Sequence, residues 1–300
     1  MREIAATLAS SGWLRRVWAH LRVLRPVNIV MIMLGVALGG VLSGGDGALQ
    51  GAAGTRLLWA ALSAALIAGA ANSLNDVLDL EIDRINRPER PLPSGLVSVT
   101  TARLVWGLGT VAGVALAAFL SLTHLALALG AVGLMVVYSV SLKRVLLLGN
   151  VVVAFVIGLA LVYGGWAVGL PDPAFVGAGF AFLTTLAREM IKDIEDVAGD
   201  AAAGVRTLPL VYGAQVAARV TVGVLLVTLL LTPLPFFLLN YRGLFLLLIL
   251  AAAALLLYVL WIFPGPEPEE RARQASHLLK AVMVAGMAAL VFGAILQVGD

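Results

Sequence analysis

Long apolar stretches, separated by short segments rich in glycine, proline or charge, recur nine times along this 300-residue chain. A helix that crosses a bilayer needs about 20 mostly apolar residues. Nine segments meet that length: 26–44, 56–75, 101–120, 122–141, 146–167, 174–192, 208–232, 241–263 and 278–297. Breakers separate them. Ser43-Gly44-Gly45-Asp46-Gly47 closes the first, Pro171-Asp172-Pro173 precedes the sixth, and Pro264-Gly265-Pro266 closes the eighth. Pro233 and Pro235 end the seventh, because proline inside a helix removes a donor and clashes with the preceding turn. The stretch from Pro264 to Glu270 reads as a loop with solvated glutamates. The pattern predicts an all-α polytopic membrane protein of nine transmembrane helices. The apolar run from Val27 to Leu42 is longer than a signal-peptide core and is read as a retained first span.

Composition excludes a large soluble domain. The chain is 61% hydrophobic and 12% charged, against about 25% charged for a soluble domain. Its mean hydropathy is +1.01. The formal charge of +3 is read as basic cytoplasmic loops rather than as a nucleic-acid surface. The absence of cysteine removes thiolate nucleophiles and Cys-ligated iron–sulfur centres. With the N-terminus inside, the nine spans place eighteen of the twenty Lys and Arg on the cytoplasmic side. They include Arg2, Arg15, Arg16, Arg22 and Arg25; only Arg56 and Arg242 fall outside. The expected topology is an integral protein of the cell membrane with a cytoplasmic N-terminus, an external C-terminus and the polar site facing the cytoplasm.

The acidic residues alter the picture most. Asp76, Asp79 and Asp83 form one run, and Asp193, Asp196 and Asp200 form another, both spaced D-x2-D-x3-D. On one continuous helix these offsets lay three carboxylates along one face. Like charges so arranged repel, and charges at the edge of lipid are costly unless they serve a site. A divalent cation is the natural compensation. Asn72 lies one turn before Asp76, and Asn75 falls beside it. Carboxylates and a side-chain amide are hard oxygen ligands that suit Mg²⁺, and no His falls in either run. Arg87, Arg90, Lys192 and Arg206 nearby suit a phosphate-bearing anion. Metal and cations beside apolar helices imply a diphosphorylated lipid, whose diphosphate the metal neutralises as it leaves.

The runs are 117 residues apart and follow the second and sixth spans. That suggests repeat one at about 20–141, repeat two at about 146–263 and a ninth helix at about 278–297, in a single transmembrane domain. Tyr138, Lys143 and Arg144 near the end of the fourth span read alone as an interfacial aromatic and positive-inside charge. Facing the same cavity, Lys143 would bind phosphate and Tyr138 would line the reaction centre. His20, His124 and His277 receive no role.

The stretch NDVLDLEIDRINRPERPLPSG, Asn75 to Gly95, closely resembles the first motif of the UbiA-type intramembrane prenyltransferases. The run at Asp193 to Asp200 is similar to their second motif, and Tyr138 to Arg144 also matches. The resemblance implies nine helices in two four-helix repeats plus one, around a central cavity open to the cytoplasm. It implies Mg²⁺ held by both motifs and an isoprenyl diphosphate whose prenyl group passes to an acceptor. Asn72, Asp76, Asp79 and Asp83 match the first metal site by position, and Asp193, Asp196 and Asp200 the second. Arg87, Lys143 and Lys192 sit where diphosphate-contacting residues are expected. The segments from Arg188 and from Gly149 look most like geranylgeranylglycerol-phosphate geranylgeranyltransferases, which act on a lipid alcohol. Aromatic-acceptor members of quinone biosynthesis are the alternative. A transporter of a phosphorylated lipid fits less well, since transporters place their charges near the bilayer midplane.

Overall fold

In a computed structural model the chain is described over residues 12–169, 171–202, 204–265 and 267–296, and these residues are helical with short connections. Arg2 lies outside them. Among the described residues, nine helices are long and apolar enough to cross a membrane.

The first described helix is α1, Gly12–Val23, which the sequence reading did not separate from the basic N-terminus. Within it Ala19 and Val23, one turn apart, are buried, while Val17, Trp18 and Leu21 are exposed. The spans follow as α2 Pro26–Gly44, α3 Gly51–Leu78, α5 Val99–Leu120, α6 Leu122–Val140, α7 Leu148–Val168 and α8 Asp172–Glu195. Short helices α4, Leu80–Asn86, and α9, Val197–Ala202, extend α3 and α8. After α10, Leu208–Tyr212, come α11 Ala214–Leu231, α12 Leu234–Leu238, α13 Leu244–Ile262 and α14 Pro268–Leu296. At 1.5 Å per residue, the 28 residues of α3 extend about 42 Å, beyond a hydrocarbon core of about 30 Å. The end of α3 can therefore carry polar side chains out of lipid.

Three expectations are corrected. The seventh span does not begin at 208. Gly213, at φ +85° and ψ 153°, takes a conformation that L side chains rarely adopt, and it separates α10 from α11. The ninth helix begins at Pro268, not 278, so much of the expected loop is helix. Pro268 opens the helix, where its missing N–H costs nothing, and Glu269 and Glu270 in the first turn favour the positive end of the dipole. A run of Pro and Glu was thus a helix start rather than a solvated loop. Finally, neither carboxylate run lies on one continuous helix. Each breaks at its middle aspartate: Asp79 has φ −92° and ψ 3°, and Asp196 has φ −102° and ψ 14°.

Contacts divide the chain into two compact units, Met1–Met33 with Leu62–Val140, and Leu34–Ala61 with Ser141–Asp300. In the first, hydroxyls tie α3 to α5: Ser63 Oγ donates to the Gly113 carbonyl at 2.8 Å and Ser73 Oγ to the Ala102 carbonyl at 2.9 Å. In the second, α2 and α7 cross almost backbone to backbone. A Cβ on Gly39 would lie 1.8 Å from the Leu161 carbonyl oxygen, and one on Gly164 equally close to that of Val36. An apolar cluster in the same unit joins Ile191 and Ile194 of α8 to Leu225, Leu256, Phe263 and Leu279.

Candidate metal and diphosphate site

The first carboxylate row is built by three segments. The end of α3 carries Asn72, Asn75 and Asp76, the break holds Asp79, and α4 carries Asp83. The ladder of backbone bonds runs through the break: the Asp79 amide donates to the Asn75 carbonyl at 2.9 Å, and the Asp83 amide to that of Asp79 at 2.8 Å. The chain bends without unwinding, so successive carboxylates keep helical spacing but not a common axis. Asp76 and Asp83 are buried.

Two arginines reach these buried acids. Arg90 follows a proline-punctuated loop that folds back on itself. The Ser94 amide bonds to the Arg90 carbonyl at 3.0 Å, Gly95 takes φ +73°, and Leu92 and Val97 pack against Ala19 and Val23 of α1. That anchoring brings the Arg90 guanidinium to Asp83 Oδ2 at 2.5 Å and to Asp76 Oδ1 at 3.9 Å. Arg25 sits at the corner between α1 and α2 with φ +53°, a conformation few non-glycine residues adopt. Its guanidinium pairs with Asp76. The same corner is pinned by Asn72, whose Nδ2 donates to the Leu24 carbonyl at 3.0 Å. Asn75 Nδ2 donates to Asp79 Oδ2 at 2.9 Å. Arg87 stands exposed at the end of α4, and Arg84 pairs with Glu81 on the surface.

The second row follows the same plan. Asp193 ends α8, Asp196 occupies the break and Asp200 lies in α9, with amide-to-carbonyl bonds from Asp196 to Lys192 at 2.8 Å and from Asp200 to Asp196 at 2.9 Å. The stripe Ala187, Met190, Ile191 and Ile194 is buried in the apolar cluster. Glu189, Lys192, Asp193 and Asp196 fall on another face. Asp193 Oδ2 accepts from Asn150 Nδ2 of α7 at 2.7 Å. Glu189 takes Arg188 at 3.1 Å and Lys192 at 2.8 Å, while Arg273 pairs with Glu195 at 2.9 Å on the surface. Burial, and then the Asp196 carboxylate, push the Asp200 carboxyl above the ordinary 3.8, against the opposing pull of Lys192.

Tyr138 is half-buried in the last turn of α6. Lys143 lies in a 3-10 turn, Leu142–Arg144, packed on the start of α7, where a Cβ on Gly149 would come within 3.2 Å of the Lys143 Cα. His124 is fully buried and bonds Ser121 Oγ through Nδ1 at 2.8 Å, a packing role. Among the described residues no three acidic or histidine side chains are already gathered as a metal cage. In the first row the acids are drawn to guanidinium and amide groups instead. Sequence reasoning missed three partners. Arg25 and Asn150 come from remote segments, with no spacing signal to reveal them. Arg90 was seen only as a neighbouring charge, although its place in the Arg87-Pro88-Glu89-Arg90-Pro91 stretch marks it as held by a stiff loop.

The sequence pattern of the UbiA prenyltransferase family matches residues 29–295. The chain belongs to that family. Digeranylgeranylglyceryl phosphate synthase of Methanopyrus kandleri is 40% identical over 223 residues, covering 73% of this chain and 78% of the relative. The enzyme of that name from Methanothermobacter thermautotrophicus is 34% identical over 91% of this chain and 95% of its own. A solved structure described as digeranylgeranylglyceryl phosphate synthase in membranes superposes with a TM-score of 0.83 at 26% identity, over 94% of this chain and 99% of the other. A UbiA homolog from Archaeoglobus fulgidus, bound to DMAPP and Mg²⁺, shares the fold at a TM-score of 0.66 and 20% identity, over 90% of this chain and 98% of the other. This UbiA member is therefore an integral membrane prenyltransferase.

Proposed function

We propose that this protein transfers a geranylgeranyl group from its diphosphate to the free hydroxyl of a geranylgeranylglyceryl phosphate, an ether-forming step of lipid synthesis. The observation that carries the reading is the pair of aspartate rows, equal in spacing and each bent at its middle aspartate, in a UbiA chain whose curated relatives bear the name digeranylgeranylglyceryl phosphate synthase. The matching breaks at Asp79 and Asp196 also support an internal duplication, with repeats at about 20–141 and 146–263.

Asp76, Asp79 and Asp83, with the amide oxygen of Asn72, are one Mg²⁺ ligand set; Asp193, Asp196 and Asp200 are the other. The donor chemistry fits, because every group is a hard oxygen and four of the six acids are exposed or half-buried. Bound Mg²⁺ supplies charge neutralisation of the departing diphosphate. Arg87, Lys143 and Lys192 add positive charge to the phosphate oxygens, and Tyr138 lines the prenyl carbon. Arg25 and Arg90, paired with Asp76 and Asp83 here, would be freed for the diphosphate if cation took those carboxylates. The apolar spans keep water from the cation-like prenyl carbon. A carboxylate of the rows accepts the proton of the acceptor hydroxyl as the carbon–oxygen ether bond forms and the carbon–oxygen bond to diphosphate breaks.

The protein sits in the cell membrane with its N-terminus and both rows at the cytoplasmic face and its C-terminus outside. The eighteen-to-two distribution of Lys and Arg supports this orientation. Ser94 is exposed beside the first row, so Ser94→Cys in this Cys-free chain should react with an impermeant thiol reagent from the cytoplasmic side alone. Labelling from outside reverses the topology.

The test of the reaction is mass spectrometry of products. Labelled geranylgeranyl diphosphate is incubated with geranylgeranylglyceryl phosphate or an aromatic acceptor, with Mg²⁺ or EDTA. Expected is a digeranylgeranyl ether, abolished by EDTA and restored by Mg²⁺. An aromatic product alone moves the protein to the quinone branch, and full activity in excess chelator removes the metal sites.

A further inference from the structure

The loop between α12 and α13 lies at the end of its spans remote from the second carboxylate row, since one span separates the two. An apolar recess of about 320 Å³ opens beside this loop, walled by Pro233, Phe236, Phe237, Ile249, Leu250 and Ala253. It exists because Pro233 and Pro235 halt α11 and turn the chain into the short α12, which stands off α13.

At this recess stands a cation. The Arg242 guanidinium carbon is 5.7 Å from the Phe236 ring centroid, and Arg242 Nε donates to Asn240 Oδ1 at 3.0 Å. The loop that displays it is firmly shaped. Asn240 and Gly243 both take positive φ, at 55° and 57°. Between them Tyr241 is buried, edge-on to Phe245 and seated on Gly293, where a Cβ would come within 2.4 Å of its ring. The same burial pushes the Tyr241 phenol up to about 12, so it contributes no anion here. Among the described residues no carboxylate forms an ion pair with Arg242. By charge it is also one of two basic residues on this side.

We infer that Arg242 and the adjacent recess form a binding site for an anionic phospholipid, with the phosphate on the guanidinium and a hydrocarbon chain between α12 and α13. The chemistry selects this occupant. A lone exposed guanidinium over an aromatic ring offers forked donors to phosphate. The apolar walls accept only hydrocarbon, and a zwitterionic head would bring a second cation to Arg242. The site uses no residue of the aspartate rows and rests only on residence in a bilayer.

Native mass spectrometry of the full chain, titrated with phosphatidylglycerol or phosphatidylcholine, tests it. Wild type should retain one phosphatidylglycerol in preference to phosphatidylcholine. Arg242→Gln should weaken phosphatidylglycerol about fivefold, as one membrane-surface cation is worth, and leave phosphatidylcholine unchanged. Arg242→Lys should keep the preference, which excludes a folding defect as the cause. Ala253→Trp, which fills the recess, should lose the bound lipid whatever its head, and millimolar inorganic phosphate should displace nothing. Equal phosphatidylglycerol affinity in wild type and Arg242→Gln, or displacement by inorganic phosphate, overturns the site. Should Ala253→Trp misfold, the Gln and Lys variants decide the matter alone.

Discussion

The two aspartate rows share a spacing and a bend but differ in how their charge is balanced. In the first, Arg25 and Arg90 reach Asp76 and Asp83, and Asn75 covers Asp79. In the second, a neutral amide, Asn150, holds Asp193, and Lys192 is paired to Glu189 rather than to an aspartate of the row. The first row is paired with guanidinium groups from within the protein, which a cation bound there, as proposed, would have to displace. In the second no guanidinium pairs with an aspartate of the row, and burial first, then Asp196, hold the Asp200 carboxyl above its ordinary value. Two runs of one spacing thus sit in different electrostatic surroundings.

The largest effect should come from removing charge from either row. Asp193→Asn and Asp76→Asn keep size and hydrogen bonding, and each should cut turnover at least about a hundredfold, since each removes stabilisation of the developing diphosphate charge. Labelled-product assays on monodisperse protein measure it. Exposed Glu267, just before α14, is the control: Glu267→Gln should leave turnover unchanged. Wild-type turnover in both Asp variants would mean that neither row takes part.

Arg90→Gln separates the rows next. Asp83 and Asp76 lose a mostly buried partner, so the metal-free protein should lose roughly 1–3 kcal/mol of stability and gain more from added Mg²⁺ than wild type. Lys192→Gln should not enlarge the Mg²⁺ response in this way. Thermal unfolding with and without Mg²⁺ decides between them, and equal responses would erase the distinction. Asn150→Ala should follow, raising the Mg²⁺ concentration for half-maximal activity at least about tenfold, the loss of roughly one hydrogen bond to a charged acceptor.

The smallest effect is in pH. The folded state holds the Asp200 proton more tightly than the unfolded chain does. Its contribution to stability is therefore fully present below about 3.8 and is lost as pH rises through the raised value. Mg²⁺ needs the ionised form, so apparent Mg²⁺ affinity should begin to fall at a higher pH on acidification than an ordinary carboxylate allows. Asp200→Asn should remove that component of the profile of Mg²⁺ affinity against pH.

Much of the fold was legible because lipid imposes a simple rule. Apolar runs of sufficient length must be helices that satisfy their own backbone, and nine were expected and nine are found among the described residues. Errors fell at the ends, where local geometry outweighs hydropathy. Gly213 split a run that looked continuous, and Pro268 with two glutamates began a helix in a segment that looked like loop. The motif residues were legible from spacing alone, but the bend at Asp79 and Asp196 was not. Periodicity reports which residues share a face only while the axis stays straight.

Sequence by itself determined the nine spans, the two equally spaced runs of aspartates and the family. These depend on composition and on near-neighbour spacing, which the chain states directly. Only the tertiary structure decided which groups neutralise those aspartates. Arg25 is 51 positions from Asp76, and Asn150 is 43 from Asp193. Such pairs arise because a buried carboxylate must take whatever donor the packing brings near, and packing joins residues that the order of the chain keeps apart.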